Sequence, residues 1–447
     1  MELKYLKSAT VTITDENKTL LVDPWLSDGE YYGSWYHYPK FNLKKFLSEK
    51  IDFIYLSHIH PDHMSKKTLK LLNKNITIII HKYAFPFFKI NLEKLGFKNI
   101  VEINHGERFY IGKTFFIEVY AADDCNPKLC GKFFKCHFVA DKLGSQQIDT
   151  ISVISNNNRT ILNVNDCPFE LSKNVIKKIY TKFKDIDLLL TGYSGAGPFP
   201  QCFSNYSTNK KKKLMKIKKE KFLNQAVSYS KLVKPKYLMP FAGTYFLSSN
   251  LYKYNKYRGV PTRFEAYNYF KKLFKKEKFL CKPLILKSNG TFNLKNYNQK
   301  SSLTFEDVVY NKKMYKYLSS RKLDYQKNSK PQYSELIELL EKSSINLFKK
   351  IDGLKIFSKK KIAIEIKKSK YFLIDLEKKK SYVVNENKIP KNNFIKLSLD
   401  PRLLYLIIKG PRFAHWDNAD IGSHIQYQRM PDNYDNQVNY ALNFFHS

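Results

Sequence analysis

The stretch that most constrains this chain is Ser57-His58-Ile59-His60-Pro61-Asp62-His63-Met64-Ser65. It follows a short apolar run of strand length at 51–56 and precedes residues 66–72, whose apolar spacing is helical. The spacing therefore predicts a strand-to-helix loop. In an extended backbone His58 and His60 project to one side, because side chains alternate with a period of two, and Pro61 ends the strand. Asp62 and His63 are expected at the start of the helix, where its dipole favours a carboxylate. Three imidazoles and a carboxylate within six residues form a borderline donor set, suited to Zn, Fe or Mn rather than Ca or Mg.

A chain of 447 residues can bury a large core and divide into two domains. With 43% hydrophobic and 15% aromatic residues it reads as folded and globular. No apolar run reaches membrane-spanning length and the N-terminus lacks a signal-peptide core, so a cytoplasmic protein is expected. The formal charge of +38 raises a competing reading, a basic nucleic-acid-binding protein or a nuclease. Against it, 70 of the 78 basic residues are lysine and 8 arginine, spread along the whole chain, whereas phosphate and base recognition favours the guanidinium fork. Most of these lysines read as solvated surface, with attraction of an anionic small-molecule substrate, such as a nucleotide-linked sugar, as the narrower functional role. Six cysteines without paired spacing read as reduced thiols, and the series Cys125, Cys130, Cys136, His137 lacks the Cys-x2-Cys pairs of an iron–sulfur or structural zinc site.

Along the chain, runs at 9–13, 19–22, 76–80, 115–120, 148–154, 160–167, 186–190 and 237–241 read as strands separated by helical stretches, the rhythm of an α/β sandwich. The basic run at 210–221 reads as a solvated helical face. From about residue 291 the chain turns polar, which marks a boundary; a helix at 334–348, strands at 361–366, 371–376 and 381–384 and a helix at 403–408 then predict a second, α+β module.

The H-x-H-x-D-H spelling resembles the metallo-β-lactamase superfamily. The resemblance implies an αββα sandwich over residues 1–290 with one or two metals at its strand ends, followed by a C-terminal α+β appendage over 291–447. It also implies that His58 and His60 serve one metal and Asp62 and His63 the other, and that Asp62 is the base if the reaction is hydrolytic. By the same resemblance Asp23 supports the metal loop from behind and Asp166 bridges the two ions. The superfamily supplies further histidines near 121–127 and near 242–245, and this chain has none at either place. Asp124, Asp123 or Cys125 are then the candidate replacements, together with His415 or His424 folding back from the C-terminus.

A narrower resemblance is to the CMP-N-acetylneuraminate hydroxylases and their bacterial relatives. It is carried by Leu21-Val22-Asp23-Pro24-Trp25-Leu26, the histidine loop, Asn163-Val164-Asn165-Asp166-Cys167, Pro240-Phe241-Ala242-Gly243 and the stretch around Gln426-Tyr427-Gln428-Arg429-Met430-Pro431. It implies two divalent ions, Fe or Zn with Mn as a third choice, in a hydrolase or oxygenase acting on a sugar nucleotide or glycan-type substrate. Those hydroxylases carry an N-terminal Rieske domain, whereas this sequence begins with the β-lactamase-like part, so a separate electron-transfer protein is the expected partner. They also carry a histidine shortly before the Asp-Thr of the hairpin, where this chain reads Gly144-Ser145-Gln146-Gln147-Ile148-Asp149-Thr150.

Overall fold

The computed structural model describes residues 1–134, 149–301 and 312–447. Cys136, His137 and the residues 144–148 before Asp149 lie outside the described residues. Strands with apolar side chains on both faces must be buried on both sides. In Lys18–Val22, Leu20 and Val22 face one core while Leu21 faces another, and Ile79 is set against Ile78 and Ile80 in the same way in Thr77–His81. Two sheets satisfy this requirement. The first runs in the order Asn298–Lys300, Thr291–Asn293, Glu2–Lys7, Thr10–Asp15, Lys18–Val22, Phe53–Tyr55, Thr77–His81, Ile100–Ile103. The second runs Lys282–Pro283, Tyr237–Phe241, Leu188–Gly192, Thr160–Asn165, Thr150–Ser155, Phe116–Ala121, Arg108–Tyr110.

Between the sheets Leu20, Val22, Tyr55 and Ile79 meet Ile154, Ile161, Leu188, Leu190 and Met239. Outside the first sheet, Leu21, Ile54, Ile78 and Ile80 pack with Leu69, Phe88 and Leu92. Outside the second, Leu162, Val164, Leu189 and Leu238 lie under Leu171, Val175, Ala226 and Phe270, from the helices Phe169–Lys182, Thr208–Val233 and Arg263–Lys276. The result is the αββα sandwich that the resemblance implies. Among the described residues no helix is long and apolar enough to cross a membrane.

The C-terminal part is α+β: a five-stranded sheet in the order Lys380–Asn385, Lys370–Asp375, Lys361–Lys367, Phe394–Ser398, Gln426–Met430, packed with helices Tyr333–Lys350 and Pro401–Ile408. Two features differ from the sequence reading. Thr291–Asn293 pairs with Glu2–Lys7, so the sandwich runs on to Lys300, past the composition shift; short edge strands are polar because they are half solvated. The appendage is also not detached, since Trp25, Tyr31, Trp35, Phe203 and Tyr245 share one core with Leu336, Ile362, Leu397, Leu404 and Trp416. Within the basic run of Thr208–Val233, Lys218 is buried rather than solvated, its Nζ donating to the carbonyls of Ala196 (3.0 Å) and Phe199 (2.9 Å), and burial lowers its amine to about 7.

Leu190 is fully buried between the sheets. Leu190→Ala is expected to lower unfolding free energy by about 2–5 kcal/mol in chemical denaturation, and a loss near zero would contradict this placement.

Candidate metal centre

The site is built from the edge where the strands end. Lys18–Val22 stops at Asp23, whose backbone turns into positive φ (43°) and whose side chain is fully buried. Its Oδ1 accepts from the Ser57 amide at 2.7 Å, and its Oδ2 accepts from Ser57 Oγ at 2.7 Å and lies 2.9 Å from His63 Nδ1. Thr10 Oγ1 donates to the Asp23 carbonyl (2.7 Å) and accepts from the Trp25 amide (2.9 Å), so the turn that carries this carboxylate is itself tied to the next strand. After His60 the chain makes a single turn, with the amides of His63 and Met64 donating to the His60 carbonyl. Helix Lys66–Leu69 begins only at the Ser65 cap. Asp62 and His63 therefore sit in a turn ahead of the helix, not in its first turn, and hydrogen bonding rather than a helix dipole holds them.

Two groups of ligand-type atoms result, each lying within 4.8 Å of one another: His58, His60 and Asp149, and His58, His63 and Asp166. His58 Nε2 is 3.6 Å from Asp149 Oδ1; His63 Nε2 is 3.3 Å from Asp166 Oδ2 and 3.6 Å from Asp62 Oδ2. The His58 ring lies 4.7 Å from that of His60 and 4.1 Å from that of His63. With His58 Nδ1 on Ser57 Oγ (2.9 Å) and His63 Nδ1 on Asp23, both Nε2 atoms face inward. His58 and His63 are buried, while His60 and Asp62 are half-buried and Asp166 is exposed, so the centre is closed at its floor and open on one side.

His58 Nε2, His63 Nε2 and Asp149 Oδ1 are buried with no hydrogen-bond partner. Each such atom costs about 1–3 kcal/mol unless something bonds it. Three of them converging, with further carboxylates at hand, fit a divalent cation. Protonation points the same way. Burial, reinforced by His63 and His60, pushes the His58 imidazole well below its ordinary range, into the neutral form that ligates. Burial raises the Asp149 carboxyl to about 6, with Asp166 and Asp62 pushing in the same direction. Burial alone would lower His63, but Asp62, Asp166 and Asp23 outweigh it and hold that imidazole well above its ordinary range, the signature of a negative site. His58, His60, Asp62, His63, Asp149 and Asp166 are thus the residues that could hold one or two ions, with His63 binding through its deprotonated Nε2.

Of the residues expected from sequence, the fold brings together His58, His60, Asp62, His63 and Asp166. Four others it turns elsewhere. Asp124 spends its oxygens on His105 Nε2 (3.2 Å) and Lys178 Nζ (2.5 Å), while neighbouring Asp123 accepts from the Cys125 amide (3.1 Å). His415 caps helix Trp416–Ile421, its Nδ1 accepting from the Asp417 amide (3.2 Å). His424 is buried with Nε2 on the Tyr31 carbonyl (2.7 Å) and Nδ1 on Tyr325 Oη (3.1 Å). A carbonyl only accepts, so Nε2 carries the proton and Nδ1 accepts from the phenol. Tyr31 in turn donates its hydroxyl to Asp62 Oδ1 at 2.5 Å. His424 therefore reaches the centre through Tyr31 and Asp62 and not as a ligand.

Sequence reasoning missed Asp149. It sought a replacement ligand after Phe116–Ala121, but the neighbouring strand is antiparallel, with Thr150 opposite Ala121. The start of one strand lies beside the end of the other, and the acid just before Thr150 occupies the edge where the missing imidazole was expected. An acid at the first position of a hairpin strand was the available signal.

Residues 2–130 match the model of the beta-lactamase superfamily domain. Over 258 residues the chain is 26% identical to the cytidine monophosphate-N-acetylneuraminic acid hydroxylase of Mus musculus, covering 56% of this chain and 40% of that protein. Over 268 residues it is 26% identical to a putative Rieske 2Fe-2S iron-sulfur protein of Mycolicibacterium smegmatis, covering 58% and 47%. The matched part thus spans less than half the length of these curated relatives. Among solved structures, CmlA, a diiron beta-hydroxylase from Streptomyces venezuelae, matches with a TM-score of 0.42 at 17% identity, covering 63% of this chain and 52% of that one. The sandwich is a metallo-β-lactamase fold, and its sequence resembles the CMP-N-acetylneuraminate hydroxylases.

Removing the carboxylate that orients Ser57 and His63, as in Asp23→Ala, is expected to weaken metal binding about 10–100-fold in chelator competition. Circular dichroism should stay unchanged, and wild-type affinity in the variant would contradict the bracing role.

Proposed function

Taking the chain as a metalloenzyme of the metallo-β-lactamase fold, we propose that it is a dinuclear-iron oxygenase that hydroxylates a small sugar-nucleotide or glycan-type substrate. The observation that carries this reading is the donor set. His58, His60 and Asp149 are two histidines and one carboxylate, the combination that non-haem Fe(II) oxygenases use. Asp62, His63 and Asp166 would hold the second ion, giving three imidazoles and three carboxylates in all, an oxygen-rich set that favours iron over zinc. Bound there, iron would supply the one-electron chemistry with dioxygen that hydroxylation of a C–H bond requires.

The chain's own residues prepare that chemistry. Asp23 and Ser57 fix the ring planes of His58 and His63. The exposed side of Asp166 and the half-buried His60 and Asp62 leave the approach on which substrate would lie. Hydroxylation with dioxygen also consumes two electrons and two protons, one oxygen atom leaving as water. The Rieske protein among the relatives supports a separate electron-transfer protein as their source. Hydrolysis would use the same residues, with Asp62 as base. The hydrogen bond from Tyr31 occupies Asp62 Oδ1 and leaves Oδ2 facing His63 Nε2, which favours the ligand role over that of a free base.

Anaerobic titration of metal-free protein with Fe(II) is expected to reach two irons per chain, followed by Mössbauer or EPR spectroscopy. Asp149→Ala should retain at most one tightly bound iron. A preference for two zinc ions, with hydrolysis of an ester or phosphodiester and no reaction of the reduced iron protein with dioxygen, would overturn the oxygenase reading.

A further inference from the structure

Three buried rings, Tyr31, Trp35 and Tyr245, are stacked beside the His/Asp cluster. The ring centroids of Tyr31 and Trp35 lie 4.5 Å apart, and Trp35 and Tyr245 lie 3.5 Å apart with their planes within 3° of parallel. The first ring reaches its place on an unusual backbone. Tyr31 and Tyr32 both stand at positive φ (49° and 58°), where side chains are strained, between Gly29 and Gly33, which adopt that region freely.

The polar atoms of the three rings are treated differently. The Tyr31 hydroxyl donates to Asp62 Oδ1 at 2.5 Å, and Asp62 Oδ2 faces His63 Nε2 at 3.6 Å. Trp35 Nε1 and Tyr245 Oη are buried with no hydrogen-bond partner. A phenol that loses an electron becomes strongly acidic, and where no acceptor meets its proton a positive charge is stranded away from water. Of these three rings Tyr31 alone has an acceptor, and that acceptor is a carboxylate of the cluster. Tyr245, without one, stays reduced, and its face lies where it supports positive charge on the Trp35 indole. An indole N–H with no acceptor also keeps its proton, so an oxidised Trp35 passes the vacancy on instead of trapping it.

We infer that Tyr31 is the redox-active side chain of the centre and that Trp35 is its electron donor. The inference rests on the oxygenase reading. Reduction of dioxygen to two waters takes four electrons and four protons. When substrate is absent its C–H bond cannot supply two of those electrons; the ferrous pair supplies two by becoming ferric, and the other two pass one at a time through Tyr31. In each passage an electron leaves the phenol, the hydroxyl proton moves to Asp62 Oδ1, and a neutral phenoxyl radical remains. An electron from Trp35 and the returning proton restore the phenol, and solvent supplies the protons of the waters. Tyr32 and Tyr36, the chain neighbours of Tyr31 and Trp35, are half-buried, which brings the series toward solvent. There a one-electron reductant, a thiol or the electron-transfer protein, refills the vacancy. The stack thereby discharges an oxidising centre that holds no substrate.

The test is rapid freeze-quench EPR of reduced, iron-loaded protein mixed with dioxygen and no substrate, followed by peptide mass spectrometry. A radical signal is expected that narrows when the protein carries ring-deuterated tyrosine, is lost in Tyr31→Phe and lives longer in Trp35→Phe. Repeated cycles without external reductant should leave oxygen adducts on Tyr31 and Trp35. If circular dichroism or iron analysis shows that Tyr31→Phe fails to fold or to load, the deuterium narrowing and the position of the adducts in the native chain decide. Reaction with dioxygen that yields no tyrosine radical, a signal that survives in folded, iron-loaded Tyr31→Phe, an unchanged lifetime in folded Trp35→Phe, or adducts confined to other residues would overturn this inference alone. Failure of the reduced iron protein to react with dioxygen would overturn the oxygenase reading and this inference with it.

Discussion

The Asp23 carboxylate is the contact on which the rest of the centre depends. It is fully buried at the end of one strand, and it reaches across to Ser57 and His63, which begin and end the histidine loop. A carboxylate removed from water needs several donors, and here the donors are the groups whose direction matters. By fixing Nδ1 of His63 and the Ser57 hydroxyl that meets His58, it turns two Nε2 atoms inward. The cost of leaving those atoms unbonded is what a cation would relieve.

The second constraint comes from the edge of the sandwich. Parallel strands deliver their ends to one side, and an antiparallel neighbour delivers its beginning there as well. Asp23, Ser57 and Asp166 follow strand ends, while Asp149 precedes a strand start. The C-terminal module adds a third layer of control. His424 holds the Tyr31 carbonyl, Ser34 Oγ donates to the Gly422 carbonyl at 2.6 Å, and the amide of Ser204 meets the Tyr427 carbonyl at 2.8 Å. The module thereby positions Tyr31 and, through it, Asp62, so the appendage braces one wall of the centre.

Much of this was legible because it is local. The histidine loop declares its chemistry within six residues, and strands buried on both faces read as continuous apolar runs, as in Leu20-Leu21-Val22 and Leu188-Leu189-Leu190. What was not legible depends on pairing across the chain. Asp149 acquires its place from an antiparallel register, and His424 from a loop hundreds of residues away that offers it a carbonyl instead of a metal. The polar turn of composition at residue 291 reports exposure and not membership, since the strands that follow it belong to the first sheet. Lys218 looked like its solvated neighbours, and only the backbone carbonyls beneath it set it apart.

The donor set and the inward-facing Nε2 atoms together argue for two ions on one strand edge. Anomalous diffraction from crystals of iron-loaded protein, collected on either side of the iron absorption edge, tests this most directly. The account predicts two edge-dependent peaks, one among His58, His60 and Asp149 and the other among Asp62, His63 and Asp166. A single peak, or peaks elsewhere in the fold, would contradict it.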